Sequence, residues 1–179
     1  MLKFSSKLSF WLLLIILSSS CKKLAELLTF QINDSSSLTI PATGPLASTV
    51  LSLPGVTVSS SSQSAFKNNN TSADYVQDVT LSKLTLTTTN PSTQTFDFLK
   101  SISLYIADAN GNNKVLLASL NPVPTGQTSI SLTPAGNKLD SYLKSGSYQL
   151  STQAELAKPV PQNTDVRVDS QFSVTAKLP

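Results

Sequence analysis

"SISLYIADANGNNKVLLASL", residues 101–120, decides the fold. Ile102, Leu104 and Ile106 alternate with more polar neighbours, and a side-chain period of two marks a strand with one face on a core. Asn110 and Gly111 then supply residues that tolerate positive φ, and Val115 to Leu120 runs back, so the stretch reads as a β-hairpin. Short apolar alternations broken by turn residues continue on both sides of it.

Upstream, "DVTLSKLTLTTTNP" (78–91) has its apolar set at Val79 and Leu81, then at Leu84 and Leu86. The period slips by one residue around Ser82 and Lys83, as a β-bulge requires. Asn90 and Pro91 end that strand. Phe30 and Ile32 are followed by Asn33, Asp34 and three serines, then by Leu38 and Ile40, which predicts a hairpin. In "LSLPGVTV" (51–58) Pro54 and Gly55 suit the centre of a type II turn, predicting another. Residues 59–72, "SSSSQSAFKNNNTS", are polar, nearly uncharged and without periodicity, and read as a surface loop.

Downstream, Ile130 and Leu132 mark a strand. Thr133 suits an N-cap and Pro134 a first helical position, while Leu139, Tyr142 and Leu143 repeat at helical spacing before Gly146. The pattern predicts one short helix near residues 134–145. Tyr148, Leu150 and Thr152, then Val166 and Val168, then Phe172, Val174 and Ala176 add strands. Seven or more short strands with turns between them predict an all-β fold, an antiparallel immunoglobulin-like β-sandwich. "VTLSKLTLTTTNPS" (79–92) resembles the sandwich domains of type-2 late-embryogenesis-abundant proteins; the resemblance implies the same architecture and transfers no functional residue. "SISL" occurs at 101 and again at 129, too short a match to count as a repeat.

The N-terminus carries the clearest signal of location. Lys3 and Lys7 precede an almost purely apolar run, Leu8 to Leu17, then Ser18, Ser19 and Ser20, and then Cys21, the chain's single cysteine. A basic start, a short apolar segment and small residues form a secretory leader. The run is about half the roughly 20 residues a membrane-spanning helix needs. Leader, serines and Cys21 together resemble the lipobox of bacterial lipoproteins, with Leu17 four residues before the cysteine where the family usually has leucine at three. The Ser-Cys-Lys-Lys junction looks most like lipoproteins of Bacteroidota. The resemblance implies cleavage before Cys21 and acylation there, so that the bilayer is a partner. Lys22 and Lys23, in place of the acidic residues found near the cysteine of retained or surface-exported relatives, imply the periplasmic face of the outer membrane, with the cell surface as the alternative. The plan is therefore a signal peptide over 1–20, a lipidated tether over 21–27 and one domain over 28–179.

Without the leader, eleven Lys or Arg stand against ten Asp or Glu, so the domain is close to neutral. No basic run interleaved with aromatics remains, which argues against a nucleic-acid partner. The chain has no histidine. That removes the usual base of Ser-His and Cys-His systems and the commonest metal ligand, and acylation of Cys21 would remove thiolate chemistry too. No cofactor is expected.

Carboxylates alone can hydrolyse glycosides, and Asp74 with Asp78 or Asp97 with Asp108 can be nominated, although solvated turn residues explain them better. "DANGNN" (108–113) alternates Asp108, Asn110 and Asn112 as calcium ligands would, but its glycine stands fourth and Ser119 occupies the place of the closing glutamate. A hairpin turn is the better reading. Phe96 and Phe98 lie on one side of an alternating stretch and could form a ligand platform, though such pairs are more often core. The expectation is a non-enzymatic envelope module that binds a protein or glycan, or serves as a spacer, with a sheet edge as one binding surface. The alternative is a carboxylate-dependent glycan hydrolase or a carbohydrate-binding module.

Overall fold

The computed structural model describes residues 27–44 and 50–177. Cys21, the leader and nearly all of the tether lie outside the described residues. Among the described residues eight strands carry the fold: β1 (Leu27–Ile40), β2 (Val50–Ser59), β3 (Val76–Asn90), β4 (Leu99–Ala107), β5 (Val115–Leu120), β6 (Ser129–Pro134), β7 (Ser147–Leu156) and β8 (Thr164–Lys177). Two short helices, α1 (Ser62–Asn68) and α2 (Asp140–Lys144), and one 3₁₀ turn (Ala73–Tyr75) complete it.

The fold is all-β and antiparallel throughout. The strands form one curled sheet in the order β1-β8-β3-β6-β5-β4-β7-β2. Among the described residues, strand pairing between its two halves occurs where β5 meets β6, through Ala118 opposite Pro134 and Ser119 opposite Thr133. A free sheet of this length would expose one apolar face, and curling removes that face from water. The curl brings the end strands β1 and β2 close to each other without main-chain pairing between them. Inward positions from both halves make one core, including Ile32, Leu84, Leu86, Ile102, Leu104, Ile106, Tyr148, Val166, Phe172 and Val174.

The 101–120 hairpin forms as the sequence predicts. Ile102 stands opposite Leu120 and Leu104 opposite Ala118, and Gly111 takes φ +84° in the turn. The bulge expected at Ser82 and Lys83 is present as a register shift between Leu81 and Lys83 against β8, and β3 ends at Asn90. Strands also form around Ile130 and Leu132 and around Tyr148, Leu150 and Thr152. Val166 to Ala176 is one long strand where two were expected.

Four local expectations are corrected. Residues 33–37 make no turn: β1 runs unbroken and pairs with β8 from Leu27 opposite Lys177 to Ile40 opposite Thr164. Phe30, Ile32, Leu38 and Ile40 keep the same phase across the polar stretch, so a single strand can turn all four inward. Pro54 and Gly55 likewise make no hairpin. They form a bulge in β2, with the register against β7 shifting between Leu53 and Val56. An end strand tolerates that, because proline's missing N–H costs no ladder bond there.

Thr133 and Pro134 belong to β6, and helix α2 starts only at Asp140. The strand wins because Ile130 and Leu132 are buried against the core and β6 pairs with both β3 and β5. Residues 59–72 contain α1, whose Phe66 is 1% exposed and meets Phe30 edge-on at 6.1 Å between ring centroids. One buried aromatic anchors a segment that is otherwise polar. Phe66→Ala should therefore cost about 3 to 5 kcal/mol of unfolding free energy, read by urea denaturation; a loss below about 1 kcal/mol would mean that α1 is not part of the core.

Candidate functional site

Two groups of polar side chains stand out, one inside the curl and one on its outer surface. The inner group sits where β1 approaches the opposite half. Asp34 occupies an inward position of β1 and is buried. Its Oδ1 accepts the Ser61 backbone N–H at 2.8 Å and the Ser61 hydroxyl at 3.0 Å, and its Oδ2 accepts the Tyr148 hydroxyl at 3.1 Å. The Ser61 hydroxyl also lies 3.0 Å from the Asn33 carbonyl. Tyr148, on β7, packs its ring edge-on against Phe172 of β8 at 6.0 Å. A carboxylate on one end strand is thus held by groups that follow β2 and lie on β7. Burial, then the Asp34 charge and hydrogen bond, push the Tyr148 phenol well above its ordinary range.

The outer group lies on the solvent face of β1, β8, β3 and β6. Strand register sets it out in rows. Asn33, Gln171 and Lys83 form one row, Ser35, Asp169, Thr85 and Ser131 the next, and Ser37, Arg167, Thr87 and Ser129 a third. A cavity of about 480 Å³ opens here, lined by Asn33, Ser35, Lys83, Thr85, Arg167 and Asp169 among others. Asp169 is central: Ser35 donates to its Oδ1 at 2.8 Å and Arg167 Nε to its Oδ2 at 2.8 Å. Partial burial raises its pKa, but the bonds from Arg167 and Ser35 and the guanidinium charge outweigh that and hold the carboxyl below its ordinary value. Gln171 Nε2 donates to Asn33 Oδ1 at 3.1 Å.

Lys83 reaches this face because of the bulge. Val79 and Leu81 point inward, so an unbroken alternation would turn Lys83 inward as well. The extra residue reverses the phase: Leu84 and Leu86 are buried and Lys83 is exposed. Ser82 Oγ donates to the Gln171 carbonyl at 2.9 Å beside the shift. Among the described residues Lys83 has no ion-pair partner.

The sequence-nominated residues fall elsewhere. Phe96 and Phe98 are each 0% exposed and pack together at 6.2 Å, so they are core and offer no platform to a ligand. Asp97 accepts the Gly126 N–H at 2.6 Å before β4, and Asp108 follows β4. The strand between them spans roughly 25 to 30 Å, far beyond the roughly 10 Å limit for a glycosidase pair. Asp74 sits in the 3₁₀ turn, and Asp78 lies on β3 with one buried oxygen unpaired among the described residues. None of the four lines the cavity.

In "DANGNN" the Asp108 carboxylate accepts the backbone N–H groups of Asn110 and Asn112 and the Asn113 side-chain amide, each at 2.9 Å. The Asn112 N–H foremost, with Asn113, Asn110 and Gly111, holds the Asp108 carboxyl below its ordinary value. The acid organises the turn. Among the described residues no group of three or more His, Cys, Asp or Glu is placed to hold a metal ion. The sheet ends are partly guarded, since β2 carries the Pro54–Gly55 bulge and Ser61 covers the Asn33 carbonyl of β1. No described helix is long and apolar enough to cross a membrane.

No family model and no curated protein matches the chain. Among solved structures it is similar to a chain described as Desmodium yellow mottle tymovirus, at 12% identity over 85% of this chain and 90% of that one, with a TM-score of 0.27. That likeness is too slight to bear on fold or function.

A phenol whose ionisation is opposed by folding contributes stability that is complete below its unfolded pKa, about 10, and lost as the pH rises beyond it. The urea midpoint should therefore hold to about pH 9 and fall above about pH 10. Tyr148→Phe, though less stable at neutral pH, should fall less over the same range; equal falls in both proteins would remove Tyr148 as the cause.

Proposed function

We propose that the chain is a non-catalytic binding module of a bacterial envelope, anchored through acyl chains on Cys21, whose partner docks on the outer face of β1, β8, β3 and β6. The observation that carries this reading is the state of Asp169. It is the outward carboxylate of the cavity, and both its oxygens are engaged, one by Ser35 and one by Arg167. General acid–base work needs a carboxyl free to exchange a proton near the operating pH; a carboxyl held below its ordinary range by two fixed donors suits recognition better. Apart from Asp34, which is turned inward onto Ser61 and Tyr148, the remaining lining is hydroxyls, amides and two cations, groups that orient a ligand.

The two four-stranded halves act as the facing layers of an immunoglobulin-like sandwich, a reading supported by their shared core and by the unpaired approach of β1 to β2. Cys21 lies six residues before β1 begins at Leu27. Six residues reach at most about 20 Å, which keeps the domain close to the lipid surface. Several acyl chains, each buried methylene contributing about 0.8 kcal/mol, make such an anchor lasting. The periplasmic face of the outer membrane is the proposed site, and an envelope glycan or protein the proposed partner.

Mass spectrometry of protein extracted from membranes should give an N-terminal peptide that begins at an acylated Cys21, and pull-down with this lipidated form should enrich an envelope component. A free thiol at position 21, or a start elsewhere, would contradict the anchor; nothing enriched above background would contradict the binding role.

A further inference from the structure

We infer that the cavity on the outer face binds an acidic saccharide, a ligand rich in hydroxyls that carries a carboxylate. This rests on the reading of that face as a recognition surface and adds the chemistry of what it recognises. Three observations converge on it.

The first is the lining. Ser35, Thr85, Thr87 and Ser129 bring hydroxyls, and Asn33 and Gln171 bring side-chain amides. Groups that both donate and accept suit sugar hydroxyls, which also do both.

The second is charge. Lys83 and Arg167 face outward, and of the two acids that line the cavity only Asp169 does. Asp34 is turned inward onto Ser61 and Tyr148. Arg167 offsets Asp169 through Nε, which leaves its terminal N–H groups for a ligand, while Lys83 has no ion-pair partner among the described residues. The outward lining of the cavity therefore carries one uncompensated positive charge, while Asp165, two residues before Arg167 on the same face of β8, lies outside the lining and is held by Thr39 and Asn90.

The third is placement. Lys83 stands opposite Gln171 and Arg167 opposite Thr87, so four residues of β3, roughly 13 Å of strand, separate the two cations across the Asp169 and Thr85 row. Arg167 reaches this row through its bond to Asp169 and Lys83 lines the cavity from the other end, a spacing that suits a ligand of one or two sugar rings. The bulge that aims Lys83 at this strip is the device by which sheets redirect side chains beside functional sites. Among the described residues no aromatic ring lines the cavity, so the contacts this lining offers a sugar are polar.

The test is calorimetric titration of the full lipidated chain in detergent with oligogalacturonate, a neutral galactose oligomer of equal length, and inorganic phosphate. Oligogalacturonate should bind, the neutral oligomer should bind more weakly, and added salt should weaken the acidic complex. Lys83→Gln, and separately Arg167→Gln, should each bind about tenfold more weakly, the scale of one hydrogen bond to a charged group, with the melting temperature of Lys83→Gln matching the parent. No binding of oligogalacturonate, equal binding of the neutral oligomer, or Lys83→Gln binding like the parent would overturn the inference; so would phosphate binding as tightly as the saccharide. If oligogalacturonate fails while the chain still captures another envelope component, the ligand class falls and the binding module stands. If it captures nothing, both fall.

Discussion

A buried carboxylate at one seam holds this sheet in its curl. Asp34 reaches inward from β1 and is met by the N–H and hydroxyl of Ser61, just after β2, and by the phenol of Tyr148 on β7. Where β1 and β2 approach, no main-chain ladder forms, so side chains have to close the structure. Hydrogen bonds to a charged group contribute about 1.5 to 3 kcal/mol, and a buried acid deprived of its donors would carry a large desolvation cost. Either effect favours the closed curl. Helix α1, which starts directly after Ser61, adds Phe66 against Phe30 and Gln63 Nε2 on the Lys144 carbonyl at 3.0 Å, so the seam also has an apolar and a polar cover. At the far end of β1, Thr43 exchanges two bonds with Val160, one through its backbone N–H and one through its hydroxyl.

Closing the seam leaves β1 and β8 side by side over fourteen residue pairs. Since inward positions on both strands belong to the core, the outward ones are free for polar groups, and register turns them into rows shared with β3 and β6. The Asp169–Arg167–Ser35 cluster and the Gln171–Asn33 bond tie β1 to β8 on the outside, as Asp34 ties β1 to β7 on the inside. Lys83 joins this surface only because β3 bulges. Position on the face thus follows from pairing and phase, and the chemistry of the face follows from position.

Much of this was legible in the sequence. The strands of the hairpin at 101–120, the Ser82–Lys83 bulge and the end of β3 follow from alternation and turn chemistry. The same rule, applied to phase, also covers two stretches that turn chemistry alone misreads. Phe30, Ile32, Leu38 and Ile40 keep one phase, which marks one strand, and the switch from Leu51 and Leu53 to Val56 and Val58 is the one-residue slip of a bulge. Helix α1 left no periodic signal because a single residue, Phe66, carries its burial. Pro134 suggested a helix start, but core contacts on both sides of β6 outweigh that local preference. The cavity could not be read beforehand. Its residues come from four strands that are distant in sequence, and Asp34 looked like a turn residue because its partners, Ser61 and Tyr148, are 27 and 114 positions away.

The most direct test of the seam is a double-mutant cycle in urea with Asp34→Ala, Tyr148→Phe and the pair combined. If the carboxylate and the phenol hold the halves together as a unit, the pair should be less destabilising than the sum of the single changes by about 1 to 3 kcal/mol. Additivity within about 0.5 kcal/mol would show that the two residues act independently, and the curl would have to be held by something else.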